Sequence, residues 1–159
     1  MSQTNSGGGV PPIMSKAITF ILRSPLHRIL SKYLLLISFT GRKSGKLYTT
    51  PVSYSQEGNL VSIFTHANWW KNLIGDGTVT LRIQGRDLQG IANPIAQDKQ
   101  AVARGLLAHL KKAPFDARFY NVSLDEQGNP SEEDIAQAAQ TVVMIQVQLP
   151  ELFSQHATA

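Results

Sequence analysis

Three cations fall within five positions, Arg42, Lys43 and Lys46, with Ser44 among them and Gly41 and Gly45 bracketing the cluster. Glycine admits backbone turns that release N–H groups toward a ligand, serine adds a hydroxyl donor, and the cations supply charge. A hairpin tip built this way can hold a phosphate or a carboxylate without a helix end. The plain alternative is a solvated basic tip that binds nothing. The Gly41-x-x-x-Gly45-Lys46 spacing is not a P-loop. One residue is missing between the glycines, Leu47 stands where Ser or Thr is needed, and a strand rather than a helix follows. Nucleotide hydrolysis is therefore excluded.

A second constellation, Trp69-Trp70-Lys71-Asn72, holds both tryptophans of the chain. Two adjacent indoles on a short helix cannot both point into a core, so one is expected inward while the other or its neighbours line a cavity. An aromatic wall suits a flat conjugated ring, adding ~0.5–1.5 kcal/mol per ring pair beyond burial. The alternative is that both indoles are structural. His66 opens this segment beside Thr65; a lone histidine is more often a satisfied loop residue than a catalyst. The absence of cysteine excludes disulfides, thiolate nucleophiles and cysteine-based metal sites, and the four histidines have no metal-ligand spacing, so no metal is expected. Asn121-Val122-Ser123 is a formal glycosylation sequon that carries no weight without a secretory signal.

Elements that could position these residues follow from periodicity. Tyr33 to Phe39 and Leu47 to Tyr54 read as strands on either side of the basic turn. A Glu57-Gly58-Asn59 turn leads to a third strand, Leu60 to Thr65, completing an antiparallel meander. His66 to Ile74 is expected as one or two helical turns. Thr78 to Gln84 alternates, with Val79, Leu81 and Ile83 on one side, and Gly85-Arg86-Asp87 turns it into a fifth strand, Leu88 to Pro94. Gln97 to Lys112 shows helical spacing at Val102, Leu106, Leu107 and Leu110. Ser131 is a good N-cap for a short helix, with Asp134 approximating a capping box. Thr141 to Leu149 is a last strand. Upstream, Met14 to Leu22 is helical in pattern, and Ser24-Pro25 starts a second piece through Lys32. The sum is a mainly β chain with α (α+β): about six mostly antiparallel strands with flanking helices, closed into a small barrel because closure removes exposed edges.

The 159 residues suit one domain over 14–150, with a Ser/Gly/Pro-rich disordered lead-in at 1–13 and a short tail at 151–159. The chain is 42% hydrophobic and 16% charged, which matches a globular protein with a real core. Its +4 net charge is unevenly placed. No acidic residue precedes Glu57, whereas seven basic ones do, and the remainder carries eight basic and eleven acidic residues. That asymmetry favours anions near the N-terminal segment and the turn: a phosphorylated cofactor, anionic lipid headgroups or nucleic acid. The apolar run from Ile18 to Phe39 is broken by Arg23, Pro25, Arg28 and Lys32, so neither a secretory signal nor a membrane span fits, and a cytoplasmic location is the default. The N-terminal pair of helices is expected to pack on the core or to lie on a membrane surface as a basic amphipathic segment.

With these residues in view, the chain resembles the deazaflavin (F420)-dependent nitroreductases and F420H2-dependent quinone reductases, which have a split β-barrel, flavin-reductase-like fold. The resemblance rests on Thr40-Gly41-Arg42-Lys43-Ser44-Gly45-Lys46, then Thr49-Thr50-Pro51, then Trp69-Trp70-x-Asn72-Leu73 and the strand Val79 to Ile83. It covers roughly Leu34 to Ala92. It implies a ring-bearing, phosphate-tailed redox cofactor, typically F420 with FMN as the alternative, in a groove at the barrel edge. By that likeness Arg42, Lys43, Ser44, Gly45 and Lys46 hold the tail and Thr49, Thr50 and Pro51 border the ring. Thr65, His66, Trp69, Trp70 and Asn72 lie beside the cofactor. The implied reaction is hydride transfer to a quinone, a nitro compound or a similar acceptor, with Tyr48, His66 and Tyr120 as candidate proton donors. A homodimer is implied as well. In this chain Tyr48 stands where better-known members have an arginine, and a shorter loop precedes the tryptophan segment.

Two readings compete with this oxidoreductase. One is a non-catalytic split-barrel binder or carrier of FMN, haem or lipid. The other is a nucleic-acid or membrane-surface binder; the aromatic residues do not interleave with the basic ones as in single-strand binders, so no nucleic-acid partner is expected.

Overall fold

The architecture is that of a computed structural model, which describes Lys16 and residues 33–151. The lead-in at 1–13, the two helical pieces between 14 and 32 and the tail after Glu151 lie outside the described residues. Six strands form a closed barrel in the order β1-β2-β3-β6-β5-β4. They are β1 (Leu34–Thr40), β2 (Leu47–Glu57), β3 (Leu60–Thr65), β4 (Thr78–Ile83), β5 (Arg86–Ile95) and β6 (Val143–Gln148). Every pairing is antiparallel, and β1 with β4 closes the ring.

Strand alternation fills the barrel. Leu35, Ile37 and Phe39 of β1 point inward with Val61 and Ile63 of β3, Val79, Leu81 and Ile83 of β4, and Val143, Ile145 and Val147 of β6. The opposite faces of β3 and β6 present Phe64 and Met144 to a second core. There they meet Val102, Leu106 and Leu110 of α1 (Lys99–Lys112) and Ile135 and Ala138 of α2 (Glu132–Ala138). One face of β3 and β6 thus belongs to the barrel and the other to a helical layer. This is why four of the six residues in each of these strands are apolar.

The structure departs from the sequence reading in four places. β2 runs three residues past Tyr54, because Ser55, Gln56 and Glu57 pair with Ser62, Val61 and Leu60. The β4–β5 turn is Gln84-Gly85, both at positive φ (50° and 80°), while Arg86 already pairs with Ile83. A two-residue turn with both φ values positive matches strand twist. Asp134 does not complete a reciprocal capping box. Ser131 Oγ accepts from the Asp134 amide, but the Asp134 carboxylate accepts instead from the amide and hydroxyl of Ser123, at 2.9 and 2.6 Å. Finally, a 3₁₀ turn at Pro114–Tyr120, closed by Asn121 in the left-handed conformation, follows α1 where no element was expected.

Candidate cofactor site

Barrel topology gathers the candidate residues at one end. β1 ends there at Thr40 and β2 begins there at Leu47, and the antiparallel order brings the C-terminal end of β3 and the start of β4 to the same side. The β2–β3 ladder stops at Tyr54–Ile63, whereas β2 pairs with β1 from Leu47 to Ser53. The Thr49-Thr50-Pro51 stretch therefore has β1 on one edge and, among the described residues, no strand partner on the other. The chain leaving β3 forms the short 3₁₀ turn Asn68–Leu73 at this end of the barrel.

The basic turn is closed by its own backbone. The Gly41 amide donates to the Lys46 carbonyl at 2.8 Å and the Gly45 amide to the Gly41 carbonyl at 2.9 Å. Gly45 has φ 68°, which any other residue would adopt under strain. A Cβ on Gly41 would lie 2.7 Å from Ser44 Oγ and from the Tyr48 ring. Ser44 Oγ accepts from the Lys46 amide at 3.2 Å and lies 3.3 Å from the Tyr48 hydroxyl. The Arg42 amide donates to Asn72 Oδ1 at 3.1 Å, and Asn72 Nδ2 donates to the Trp69 carbonyl at 2.9 Å. One side chain thereby ties the turn to the tryptophan segment. The expectation of freed backbone donors is refined: the Arg42, Gly45 and Lys46 amides are used, and those of Lys43 and Ser44 make no hydrogen bond among the described residues.

Arg42, Lys43 and Lys46 are exposed, and none has a side-chain partner among the described residues. Beside them runs an aromatic stack. Tyr48 lies over Phe39 (centroids 5.9 Å, planes 23° apart), and Phe39 lies over Trp69 (5.1 Å, 18°). Trp69 and Trp70 are both half-buried and both pack against the barrel core. Where the sequence predicts one inward indole with the other or its neighbours lining a cavity, in the structure a 3₁₀ turn lying on the barrel end lets both rings rest on it.

Thr50 sits directly opposite Ile37 and so shares its barrel-facing side, whereas Thr49 faces outward, its hydroxyl 2.8 Å from that of Ser38. Outside the barrel, Ser38, Thr49 and Thr80 border a groove of about 310 Å³ whose far side is the Arg82–Asp87 ion pair (3.2 Å). Pro51 is buried. Thr65, at the end of β3, is also buried, and its hydroxyl accepts from the Ala67 amide at 3.0 Å.

The proton-donor candidates separate. Tyr48 is 46% exposed beside the basic turn. His66 is half-buried, with its ring 5.7 Å from that of Tyr120. Tyr120 is buried in the helical layer, and its hydroxyl donates to the Phe64 carbonyl at 3.3 Å. Burial, aided by the nearby Asp116, pushes its pKa well above the usual phenol range, so this hydroxyl holds its proton.

Phe39 was not legible as a site residue, since in sequence it is the last member of an apolar run. Nor was a buried cluster on the other side of the barrel. There Asp116 accepts a short hydrogen bond from Ser53 and one of 2.8 Å from His109 Nε2. His109 sits at an apolar-periodic position of α1, and no sequence signal marks its partners.

Comparison with known proteins bears on this site. Residues 24–123, well over half of the chain, match the family model described as F420H(2)-dependent quinone reductase. No curated protein matches the chain in sequence. Among solved structures, an F420-H2-dependent reductase is similar with a TM-score of 0.50 at 15% identity, covering 74% of this chain and 95% of that one. A conserved hypothetical protein from Mycobacterium tuberculosis gives a TM-score of 0.52 at 13% identity, covering 94% of this chain and 86% of the other. Likeness at such identities concerns the fold, and the fold is a split β-barrel.

Proposed function

The chain belongs to the F420H(2)-dependent quinone reductase family, whose cofactor is coenzyme F420, and from that premise we propose that it reduces a quinone, or a similarly activated acceptor such as a nitro compound. The observation that carries the proposal is the pairing of three cations, uncommitted among the described residues, with an aromatic wall, held together by Asn72. A ligand with an anionic tail and a flat ring fits that pairing. Arg42, Lys43 and Lys46 would hold the tail, with Ser44, Gly45 and the unpaired amides of Lys43 and Ser44. Charge-assisted hydrogen bonds contribute roughly 1.5–3 kcal/mol each. Two or three of them plus ring burial support micromolar affinity, about 8 kcal/mol.

When bound in its reduced form, F420 supplies the hydride. The protein's part is placement. Thr49, Thr50 and Pro51 on the unpaired edge of β2 would border the ring, and Trp69 and Trp70 with Thr65, His66 and Asn72 would form the facing wall and keep water out. Tyr48 and His66 would be the side chains to deliver a proton to the acceptor, a reading supported by the Tyr120 hydroxyl being committed and buried. Action as a cytoplasmic homodimer belongs to the same proposal. Separately, no helix among the described residues is long and apolar enough to cross a membrane.

The test is a parallel titration with F420 and FMN followed by tryptophan fluorescence, then turnover of reduced F420 with menadione and a nitroarene. Quenching by F420 at micromolar concentration, weakened about tenfold or more in Lys43→Ala and Arg42→Ala, supports the site. Binding of FMN alone moves the protein to the flavin branch. Binding without turnover leaves a carrier of the same fold. Undiminished F420 binding by both variants would show that the turn is not the tail site.

A further inference from the structure

A second cavity lies on the far side of β2, between α1 and the outer faces of β2, β3 and β6, with a volume of about 340 Å³. A sheet face covered by a helix is normally apolar, and Phe64 and Met144 on this face are. Ser55, Ser62 and Gln146 break the pattern. Ser55 pairs with Ser62 and Ser62 with Gln146, so the three side chains stand in one row across three strands. All are half-buried, and none has a side-chain hydrogen bond among the described residues. Arg104 of α1 lines the same cavity, also without a partner among the described residues. The other cation there, Lys112, is paired with Glu57 at 3.4 Å. The cavity therefore carries one uncommitted positive charge, three uncommitted polar side chains and an apolar floor that includes Ile95 and Met144.

We propose that this cavity binds a small organic monocarboxylate, independently of the F420 site and of the reading given for it. The planar guanidinium of Arg104 matches a carboxylate through two parallel N–H···O bonds. A single net charge favours a monoanion over a phosphate ester. The volume admits a ring or short aliphatic body on the Ile95 and Met144 side, at the lower end of the range for small-molecule sites. The hydroxyl and amide row would receive a second polar group on the ligand or the outer lone pairs of its carboxylate.

The probe is 4-fluorobenzoate, titrated into the full chain and followed by ¹⁹F line broadening, with 4-fluorobenzamide as the uncharged control. Saturable binding of the acid is expected, weakened about tenfold or more in Arg104→Gln and several-fold in Gln146→Leu. Arg104 is exposed and unpaired, so its variant should remain folded and should bind F420 as the parent does. Lys43→Ala should leave fluorobenzoate binding unchanged. No saturable binding, equal binding of the amide, or undiminished binding by Arg104→Gln would overturn the proposal. Loss of binding in Lys43→Ala would overturn it too, by placing the anion at the basic turn.

Discussion

Asp116→Ala tests what holds β2 to the helical layer. Asp116 is 4% exposed and His109 fully buried. The carboxylate accepts from Ser53 on β2, two residues beyond Pro51, and from His109 on α1, so one group joins a strand, a helix and the 3₁₀ turn that bears it. Because the carboxylate only accepts, the shared proton is on His109 Nε2; Nδ1 has no partner. Truncation leaves that buried N–H with only Ser53 Oγ at 3.4 Å, a poor acceptor geometry. An unsatisfied buried donor costs about 1–3 kcal/mol, and the hydrogen bond lost by Ser53 about 1 kcal/mol more. The expected loss is therefore about 2–4 kcal/mol, a large share of a domain's usual 5–15 kcal/mol. In a chain of this size it corresponds to roughly 4–16 °C in Tm. Urea unfolding at neutral pH reads it directly. Combined with His109→Ala, the losses should be non-additive by about 1–3 kcal/mol, since the second truncation removes the group the first left unpaired. A loss below about 1 kcal/mol, or strict additivity, would refute the reasoning and make the cluster incidental to stability.

Asn72→Ala should weaken F420 binding several-fold and cost about 1–2 kcal/mol, because it removes the acceptor of the Arg42 amide and the donor to Trp69. Asn72→Asp should not recover the affinity, because a carboxylate cannot donate to the Trp69 carbonyl and sets a negative charge beside the anionic tail; equal binding by all three proteins would show that the link does not position the turn. The hydrogen bonds from Ser123 hold the Asp134 carboxyl below the usual carboxylate range, with the hydroxyl the larger cause. A lowered folded-state value means that its stabilisation is present above the unfolded value, about 3.9, and is lost as pH falls through the folded one. The gap in urea midpoint between the parent and Asp134→Asn should therefore be open at pH 7 and narrow as the pH falls below the unfolded value of about 3.9; a gap independent of pH would contradict this account.

Local patterning fixed much of this protein. Period-two alternation in β4 marked its barrel-facing residues, apolar, β-branched and aromatic runs marked the other strands, Ser131 marked the start of α2, and Gly41 and Gly45 marked a turn whose hydrogen bonds need them. These are effects between neighbours in the chain, so residue types suffice to read them. Which residues meet across the fold was decided elsewhere. The link from Arg42 to Asn72 spans 30 positions and that from Ser53 to Asp116 spans 63. The insertion of β6 between β3 and β5 follows from barrel closure, which no single strand encodes. The same closure set Thr50 toward the barrel and Thr49 toward the outer groove, and stacked Phe39 between Tyr48 and Trp69. Sequence therefore determined the pieces and the chemistry they carry. Only the tertiary structure decided which donors stay free, because a hydrogen bond between distant residues uses up a group that the sequence alone leaves available.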